Sequence, residues 1–288
     1  MDKMKTTTIA TKQPIDIEKT LESGQVFRWE KIEDWYYLVI KSNLIAIKQE
    51  GPEDIKARSF ALSNTELKNV ISEYFRLDDD IEHIYKAIAT DEQIKSAIQK
   101  YRGLRIVRQD PWECLISFIC SANSNIPRIS STMKSLANSY GTKLYLDEYI
   151  GYSFPSSKQI SEAGEKKLRE LKLGFRAKYV AQAAKLVSDG EIQLEPLKEL
   201  HYEESKAILA QIPGVGPKVA DCTLLFSLEK LQACPVDRWV RRAMETWYLI
   251  EPNLSYEQIR LWATNRWGPF TGYAQQYLFQ QKRLEDKP

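Results

Sequence analysis

A short turn with two glycines, Pro213-Gly214-Val215-Gly216, is the feature that most constrains how this chain folds. The apolar run before it predicts a helix, and the glycines permit a tight hairpin because glycine adopts positive φ freely. Pro217 suits the first turn of a second helix, where its missing amide hydrogen is not needed. Backbone amides of such a turn, at a helix N-terminus, form an anion site. The sequence therefore predicts two helices joined by a hairpin that can hold a phosphate.

Reactive residue types follow this hairpin. Lys218 lies in the first turn of the second predicted helix, where the helix dipole disfavours an ammonium and favours an amine that can form a Schiff base. Cys222 shares a helix face with Lys218, and a thiol near a helix start and an amine is expected to tend toward thiolate. Asp237 adds a carboxylate nineteen residues after Lys218. The alternative is a structural turn between two capped helices, with Lys218 solvated.

Strand-forming sequences come first in the chain and helical ones follow. Trp35 to Ile40 and Leu44 to Gln49 are rich in β-formers, and Lys41-Ser42-Asn43 between them predicts a hairpin turn. From about Asn64, apolar residues recur at helical spacing almost to the end of the chain. We expect an α+β fold, with an N-terminal antiparallel sheet and flanking helices over residues 1–106 and an all-helical region over residues 107–288.

Capping residues predict several helix ends. Asp110-Pro111 indicates an N-cap followed by a first-turn proline, and a serine caps the helix after the break at 154–157. Gly190 is expected to end a helix. Asp237 is expected to cap an amphipathic helix that runs through Trp247, and a final helix is expected over about 272–282.

Charge and cysteine spacing limit the possible functions. The net charge is only +2, but residues 158–186 contain eight Lys or Arg against three Glu, an excess of five positive charges. This stretch can contact phosphates or form a solvated helix face. The cysteines at 114, 120, 222 and 234 match no zinc or iron–sulfur spacing, and the two histidines lie in no motif. We therefore expect no metal, no cofactor and no Ser-His-Asp catalysis.

Hydropathy predicts a protein outside the membrane. No apolar run approaches 18 residues, and the segment 1–6 lacks the apolar core of a signal peptide. We expect an intracellular protein with reduced thiols, in the cytoplasm or nucleoid of a prokaryote or the nucleus of a eukaryote.

Several motifs together resemble a known family. Residues 215–222, with Pro235-Val236-Asp237, are similar to the helix-hairpin-helix motif, Gly/Pro-rich loop and aspartate of a DNA glycosylase superfamily. They are most similar to its 8-oxoguanine DNA glycosylase family, and the resemblance extends from about residue 14 to 280. It implies a helix-hairpin-helix at about 202–228 within a helical glycosylase bundle. It also implies a repair enzyme that flips 8-oxoguanine, opposite cytosine, out of double-stranded DNA and removes it, then nicks the strand as a lyase. We expect this enzyme to act as a monomer.

The resemblance also assigns roles to individual residues. Lys218 would be the nucleophile, and Asp237 would stabilise the cationic sugar and orient or deprotonate Lys218. The base pocket would consist of the Gly24 carbonyl, the Gln275 amide, and Cys222 and Phe279 on the two faces of the base.

Other residues would contact the DNA around the lesion. Asn123 would fill the space left by the flipped base and Arg128 would read the opposite cytosine, while Phe175, next to Arg176, would wedge into the duplex. The hairpin Gly214, Val215 and Gly216 would bind a phosphate. Eukaryotic members of the family have a histidine two residues after the aspartate that touches a phosphate, and Arg238 would take over that contact here.

Alternatives remain at this point. Without the family, the segment 123–125 is a helix-ending loop, Phe279 is a core residue, and Phe175 is a core residue beside a surface Arg176. At the level of function, the chain could be a glycosylase of the same superfamily for another lesion, such as adenine, thymine glycol or alkylated bases. It could also be a helix-hairpin-helix protein that binds DNA without catalysis.

Overall fold

The computed structural model describes residues 5–285, so Met1–Met4 of the N-terminal segment considered above lie outside the described residues. The strands form a five-stranded antiparallel sheet of order β1-β5-β4-β3-β2 and a separate two-stranded sheet. They are β1 (Lys5–Ala10), β2 (Trp29–Ile32), β3 (Trp35–Ile40), β4 (Asn43–Gly51), β5 (Asp54–Ser59), β6 (Lys143–Leu146) and β7 (Tyr149–Tyr152). The predicted hairpin between β3 and β4 is confirmed. Lys41 and Ser42 both have positive φ, 47° and 62°, as a two-residue hairpin turn requires.

Helices make up most of the remaining chain. They are α1 (Ile17–Leu21), α2 (Asn64–Tyr74), α3 (Ile81–Ile88), α4 (Glu92–Lys100), α5 (Pro111–Cys120), α6 (Ile126–Tyr140), α7 (Ser157–Glu170), α8 (Arg176–Ser188), α9 (Tyr202–Leu209), α10 (Pro217–Ser227), α11 (Arg238–Trp247), α12 (Tyr256–Trp267) and α13 (Thr271–Glu285). The predicted caps are confirmed: Asp110 accepts the Glu113 amide at 2.9 Å, Ser156 caps α7, and Gly190 follows the end of α8 with a φ of 78°. The α+β class predicted from the sequence is confirmed.

The apolar side chains form two main cores. One lies between the large sheet and α1 and α2, around Ile45, Ile47 and Leu67. The other fills the helical region and includes the apolar faces of α3 and α4. These two helices belong to the predicted N-terminal domain, yet they pack against α13, where the Tyr85 and Tyr277 hydroxyls are 2.9 Å apart. The boundary at residue 106 therefore stays a prediction.

The small sheet β6–β7 was missed, and the prediction that residues 107–288 are all helical is wrong at this point. Leu146 is fully buried against Leu44 and Tyr37 of the large sheet, and the Tyr149 ring lies 4.4 Å from that of Tyr37 between centroids. The hairpin thus covers a face of the large sheet. Its own sequence lacks the Gly or Pro turn signal from which we predict hairpins.

Hydropathy within the described range agrees with the sequence analysis. None of the helices between residues 5 and 285 combines the length and apolar character needed to cross a membrane.

Candidate active site

The predicted hairpin joins α9 to α10. Gly214 has a φ of +87°, and a Cβ there would lie 2.6 Å from Tyr179 Cγ, so the position requires glycine for conformation and for space. The Val215 amide closes the turn by donating to the Ile212 carbonyl at 3.0 Å, and the Val215 side chain is buried. Gly216 is exposed at the N-cap of α10 and provides no side-chain cap. The amides of Lys218 and Val219 precede the first intrahelical hydrogen bond, which Ala220 donates to the Gly216 carbonyl, so they are available to an anion.

Lys218 is the second residue of α10 and is half-buried. Its Nζ donates to Ser121 Oγ at 2.9 Å and lies 4.8 Å from the centroid of the Phe118 ring. Ser121 is the C-cap of α5, and its hydroxyl donates to the Phe118 carbonyl. Both partners come from α5, so this helix orients the amine. Ser121 and Phe118 were not predictable partners of Lys218, because each lies about a hundred residues before it in the chain.

Asp237 is the N-cap of α11, as predicted. One oxygen, Oδ1, accepts the amides of Trp239 and Val240, both at 2.9 Å. Burial raises the pKa of the Asp237 carboxyl, although the Val240 amide and the positive charge of Lys218 act in the opposite direction. A carboxylate that already accepts two amides in a fixed direction is suited to electrostatic stabilisation more than to covalent attack.

A small cavity of about 50 Å³ lies where these groups meet. Its walls come from α5, α10, the segment before α11, α13 and the loop before β2. They are formed by Gly24, Phe118, Lys218, Cys222, Phe226, Pro235, Asp237, Gln275, Gln276 and Phe279. The structure thus brings together all six residues that the resemblance assigned to catalysis and to the base pocket. Phe118, Phe226 and Gln276 were not singled out from the sequence, and Pro235 was noted only as part of the motif that ends in Asp237.

Gln275 contributes a polar group without a partner. The residue is 3% exposed, and its side-chain oxygen accepts no hydrogen bond from any described residue. A buried polar atom left unpaired costs free energy, so this oxygen is poised for a donor on a bound ligand.

Gly24 faces the same cavity from the loop before β2. Its φ is +77°, and a Cβ there would lie 2.8 Å from Ile126 Cδ1 and 3.5 Å from Phe279 Cε1. The flanking residues are anchored. The Ser23 carbonyl accepts from Gln276 Nε2 at 2.9 Å, and the Gln25 side chain bonds the backbone of Arg105 and Val107. The backbone at Gly24 is therefore a fixed wall of the cavity.

Cys222 corrects one prediction. The residue is 2% exposed, and burial raises the pKa of its thiol to about 12, a larger effect than the opposing influence of Lys218. The expected thiolate is wrong because the helix start and the amine do not compensate for the loss of hydration. Cys222 is a neutral, apolar part of the cavity wall.

The residues expected to contact the rest of the duplex lie in a second group. Asn123 and Arg128 are exposed, on the turn after α5 and in the first turn of α6, and Asn123 has a φ of 47°. Phe175 is 48% exposed just before α8. Arg176 is 5% exposed, and its guanidinium donates to the carbonyls of Ala122 and Asn123, each at 2.8 Å.

The exposures of Phe175 and Arg176 are the opposite of those in the alternative given above. A core Phe175 beside a surface Arg176 is wrong, since the ring is exposed and the guanidinium is buried beneath it, 4.5 Å from the ring centroid. In this structure Arg176 supports the turn that presents Asn123.

Several positively charged side chains are also exposed on α7, α8 and α11. Arg238 is exposed at the start of α11 with its guanidinium 4.6 Å from the Trp239 ring centroid, and Lys166, Lys167, Lys172 and Lys178 are exposed on or between α7 and α8. Arg169, in contrast, pairs with Glu165.

A larger cleft of about 590 Å³ lies elsewhere, among residues that include Arg28, Tyr74 and Glu113. None of the candidate catalytic or base-pocket residues lines it, so the size of a cleft does not identify the candidate active site in this protein. Within residues 5–285, no three His, Cys, Asp or Glu side chains are grouped so that they could hold a metal ion.

Comparison with known families defines the class of protein. Residues 116–269 match the HhH-GPD superfamily of base excision DNA repair proteins, and residues 8–115 match the N-terminal domain of 8-oxoguanine DNA glycosylase. Fold and site therefore define a helix-hairpin-helix enzyme of base excision repair.

Individual relatives narrow this class. The N-glycosylase/DNA lyase of Saccharomyces cerevisiae is 31% identical, over 94% of this chain and 84% of the yeast protein. A related Arabidopsis thaliana N-glycosylase/DNA lyase is 29% identical over 93% of this chain and 78% of its own. The Clostridium acetobutylicum 8-oxoguanine glycosylase/lyase, solved with double-stranded DNA containing cytosine opposite 8-oxoguanine, is 35% identical with a TM-score of 0.92 over 100% of both chains. This chain belongs to the 8-oxoguanine DNA glycosylase family of N-glycosylase/DNA lyases.

Proposed function

We propose that this enzyme excises 8-oxoguanine opposite cytosine from double-stranded DNA and then nicks the strand, with Lys218 as nucleophile. The observation that carries this proposal is the convergence of an amine, a carboxylate and an unpaired amide oxygen on one cavity. The clostridial enzyme was solved with DNA that contains the same substrate pair, which supports the choice of lesion and partner base.

The first chemical step replaces one bond with another. The neutral amine of Lys218 attacks the anomeric carbon of a flipped nucleotide, and the glycosidic bond breaks with its electron pair leaving on the base, which takes up a proton. Loss of a proton from the new amine and ring opening give a Schiff base. Removal of a proton from the adjacent sugar carbon then expels the 3′ phosphate, so the strand is cut 3′ to the lesion.

Asp237 acts on this step through its charge. Positive charge develops on the sugar as the base leaves, and a fixed carboxylate at the cavity wall stabilises it. The same carboxylate would orient or deprotonate Lys218, which lines the same cavity. Its two amide hydrogen bonds hold it in place for this role.

Base recognition uses the opposite walls of the cavity. The Gly24 carbonyl would accept the hydrogen that 8-oxoguanine carries on its five-membered ring and guanine lacks, so that guanine would leave a buried acceptor unpaired. Gln275 would bond the pairing edge of the base, and Phe279 and Cys222 would hold its two faces.

The remaining residues hold the duplex. The amides at Gly214, Val215 and Gly216 would bind a phosphate, and Arg238 a second one. Phe175 would wedge into the helix, Asn123 would fill the vacated space and Arg128 would read the opposite cytosine. Arg176 would keep Asn123 in position. We further propose that the protein acts inside the cell, since its substrate is genomic DNA. We also propose that it acts as a monomer and without a cofactor.

A panel of lesion duplexes tests this function. Single-turnover base release is measured on 8-oxoguanine opposite each of the four bases, on thymine glycol, on an alkylated adenine and on undamaged DNA. The proposal predicts the fastest release for 8-oxoguanine opposite cytosine and none for guanine. Preferential release of another lesion would assign a different substrate, and duplex binding without release from any member would indicate a non-catalytic DNA-binding protein.

A further inference from the structure

A buried carboxylate lies directly behind the candidate active site. Asp221 is three residues after Lys218 on α10 and its side chain is completely buried. Its Oδ1 accepts the Tyr202 hydroxyl and its Oδ2 accepts the Tyr256 hydroxyl, both at 2.5 Å. Lys206 Nζ lies 3.5 Å from Oδ2 and also bonds Glu257 at 2.7 Å.

Burying the Asp221 carboxylate lowers the stability of the folded protein. Burial raises the pKa of the Asp221 carboxyl, because the loss of hydration exceeds the stabilisation from Lys206 and the two hydroxyls. A well-packed apolar side chain in this place would serve the core at least as well. The carboxylate therefore calls for a role beyond packing.

The hydrogen bonds continue from Asp221 to the loop that ends at Asp237, just before α11, which is called the catalytic loop below. Tyr256, the first residue of α12, donates its hydroxyl hydrogen to Asp221, and its oxygen accepts the Val236 amide at 3.3 Å. Val236 directly precedes Asp237. The chain of contacts thus runs from α10, which carries the nucleophile, through one hydroxyl to the backbone that carries the catalytic carboxylate.

We propose that Asp221 and Tyr256 are positioning residues that fix Asp237 relative to Lys218. This inference rests on the proposed function of those two residues. Asp221 and Lys218 lie on the same turn of α10. The Asp221–Tyr256 contact therefore ties the loop that carries Asp237 to the helix that holds the amine. Neither positioning side chain lines the cavity, and both act through the backbone of Val236.

The two tyrosines provide a matched comparison. Tyr202 and Tyr256 each donate to one oxygen of Asp221, but only the Tyr256 oxygen bonds the Val236 amide. Tyr202 accepts from Lys206 at 3.1 Å instead. Tyr202→Phe and Tyr256→Phe thus remove equivalent hydroxyls from the carboxylate, and only the second substitution loosens the catalytic loop.

The experiment compares these two variants with wild type under single-turnover conditions at saturating enzyme. Two duplexes are used, one with 8-oxoguanine opposite cytosine and one with an abasic site opposite cytosine. The abasic duplex requires only the Lys218 and Asp237 chemistry and is independent of which base is recognised. Affinity for the abasic duplex and the melting temperature of each variant are measured in parallel.

We expect Tyr256→Phe to slow both reactions about tenfold or more with affinity changed less than about twofold, since small misplacement of catalytic groups is costly. Tyr202→Phe is expected to stay within about threefold of wild type at a similar loss of melting temperature. Equal rate losses in both variants, or none in either, would overturn the positioning role. Wild-type cleavage of the abasic duplex without 8-oxoguanine release would reject the proposed substrate and leave this comparison valid. Inactivity of wild type on both duplexes would overturn both proposals.

Discussion

Lys218 Nζ donates a hydrogen bond of 2.9 Å to Ser121 Oγ at the C-terminus of α5. Ser121 lies two residues before Asn123, whose carbonyl is held by Arg176. One short turn therefore connects the proposed nucleophile with the residue proposed to fill the duplex. The orientation of the amine and the proposed contact of Asn123 with the DNA therefore depend on the same piece of backbone.

The Ser121→Ala variant tests the contribution of this contact. Loss of this hydrogen bond is worth about 1 kcal/mol, so single-turnover base release should fall about fivefold. DNA affinity should change little, because Ser121 is not among the residues proposed to touch the duplex. Ser130→Ala is the control, since its hydroxyl donates to the Phe27 carbonyl and not to Lys218. Equal effects of the two substitutions would show that Ser121 does not orient the amine.

Asp237→Asn separates charge from helix capping. Asparagine is nearly as good an N-cap as aspartate, so α11 should remain capped while the negative charge is lost. Base release should fall about a hundredfold or more, with duplex affinity nearly unchanged. Asp110→Asn, which alters the N-cap of α5 in the same way, should retain activity. A parallel loss of affinity and rate in Asp237→Asn would instead indicate a structural cap.

The same variant has a predicted pH dependence of stability. Because burial raises the pKa of Asp237, the ionised carboxylate is disfavoured in the folded state. Its contribution to stability is full below the unfolded-state pKa and is lost as the pH rises through the higher folded-state pKa. Asparagine does not ionise, so the melting temperature of Asp237→Asn relative to wild type should increase from pH 4 to pH 7. A relative melting temperature that stays constant or decreases over this range would contradict the raised pKa.

The cysteines should be unreactive in the folded enzyme. All four are buried, and burial raises the pKa of the Cys120 and Cys222 thiols to about 12 and those of Cys114 and Cys234 as well. Alkylation requires the thiolate, so iodoacetamide at pH 8 should leave native protein unmodified by mass spectrometry and label all four cysteines in denaturant. Rapid labelling of Cys222 alone in the native protein would instead support the thiolate that was expected from the sequence.

Features encoded by neighbouring residues were predictable from the sequence. The Gly214 turn, the Asp110 and Asp237 caps and the β3–β4 hairpin each depend on a few consecutive residues with restricted backbone geometry. The resemblance to a family added the residues from distant segments that meet at the cavity, such as Gly24 and Gln275.

Contacts between distant segments were not predictable in the same way. Ser121 is 97 residues from Lys218, and Tyr256 is 35 residues from Asp221, so no local pattern connects either pair. The Cys222 pKa was predicted in the wrong direction because its burial depends on side chains of other elements. The β6–β7 hairpin is stabilised by the face of the large sheet that it covers, which its own residues do not specify.

The proposed chemistry depends above all on a covalent Schiff base between Lys218 and the sugar of the excised base. Borohydride reduces such an intermediate to a stable adduct, so the most direct measurement is trapping on a duplex with 8-oxoguanine opposite cytosine. Wild type and Lys218→Gln are compared side by side, with duplex affinity measured for both. We expect an adduct with wild type only, and no base release by a variant that still binds DNA. Absence of an adduct with wild type despite tight binding, or full excision by Lys218→Gln, would contradict the assignment of Lys218 as nucleophile.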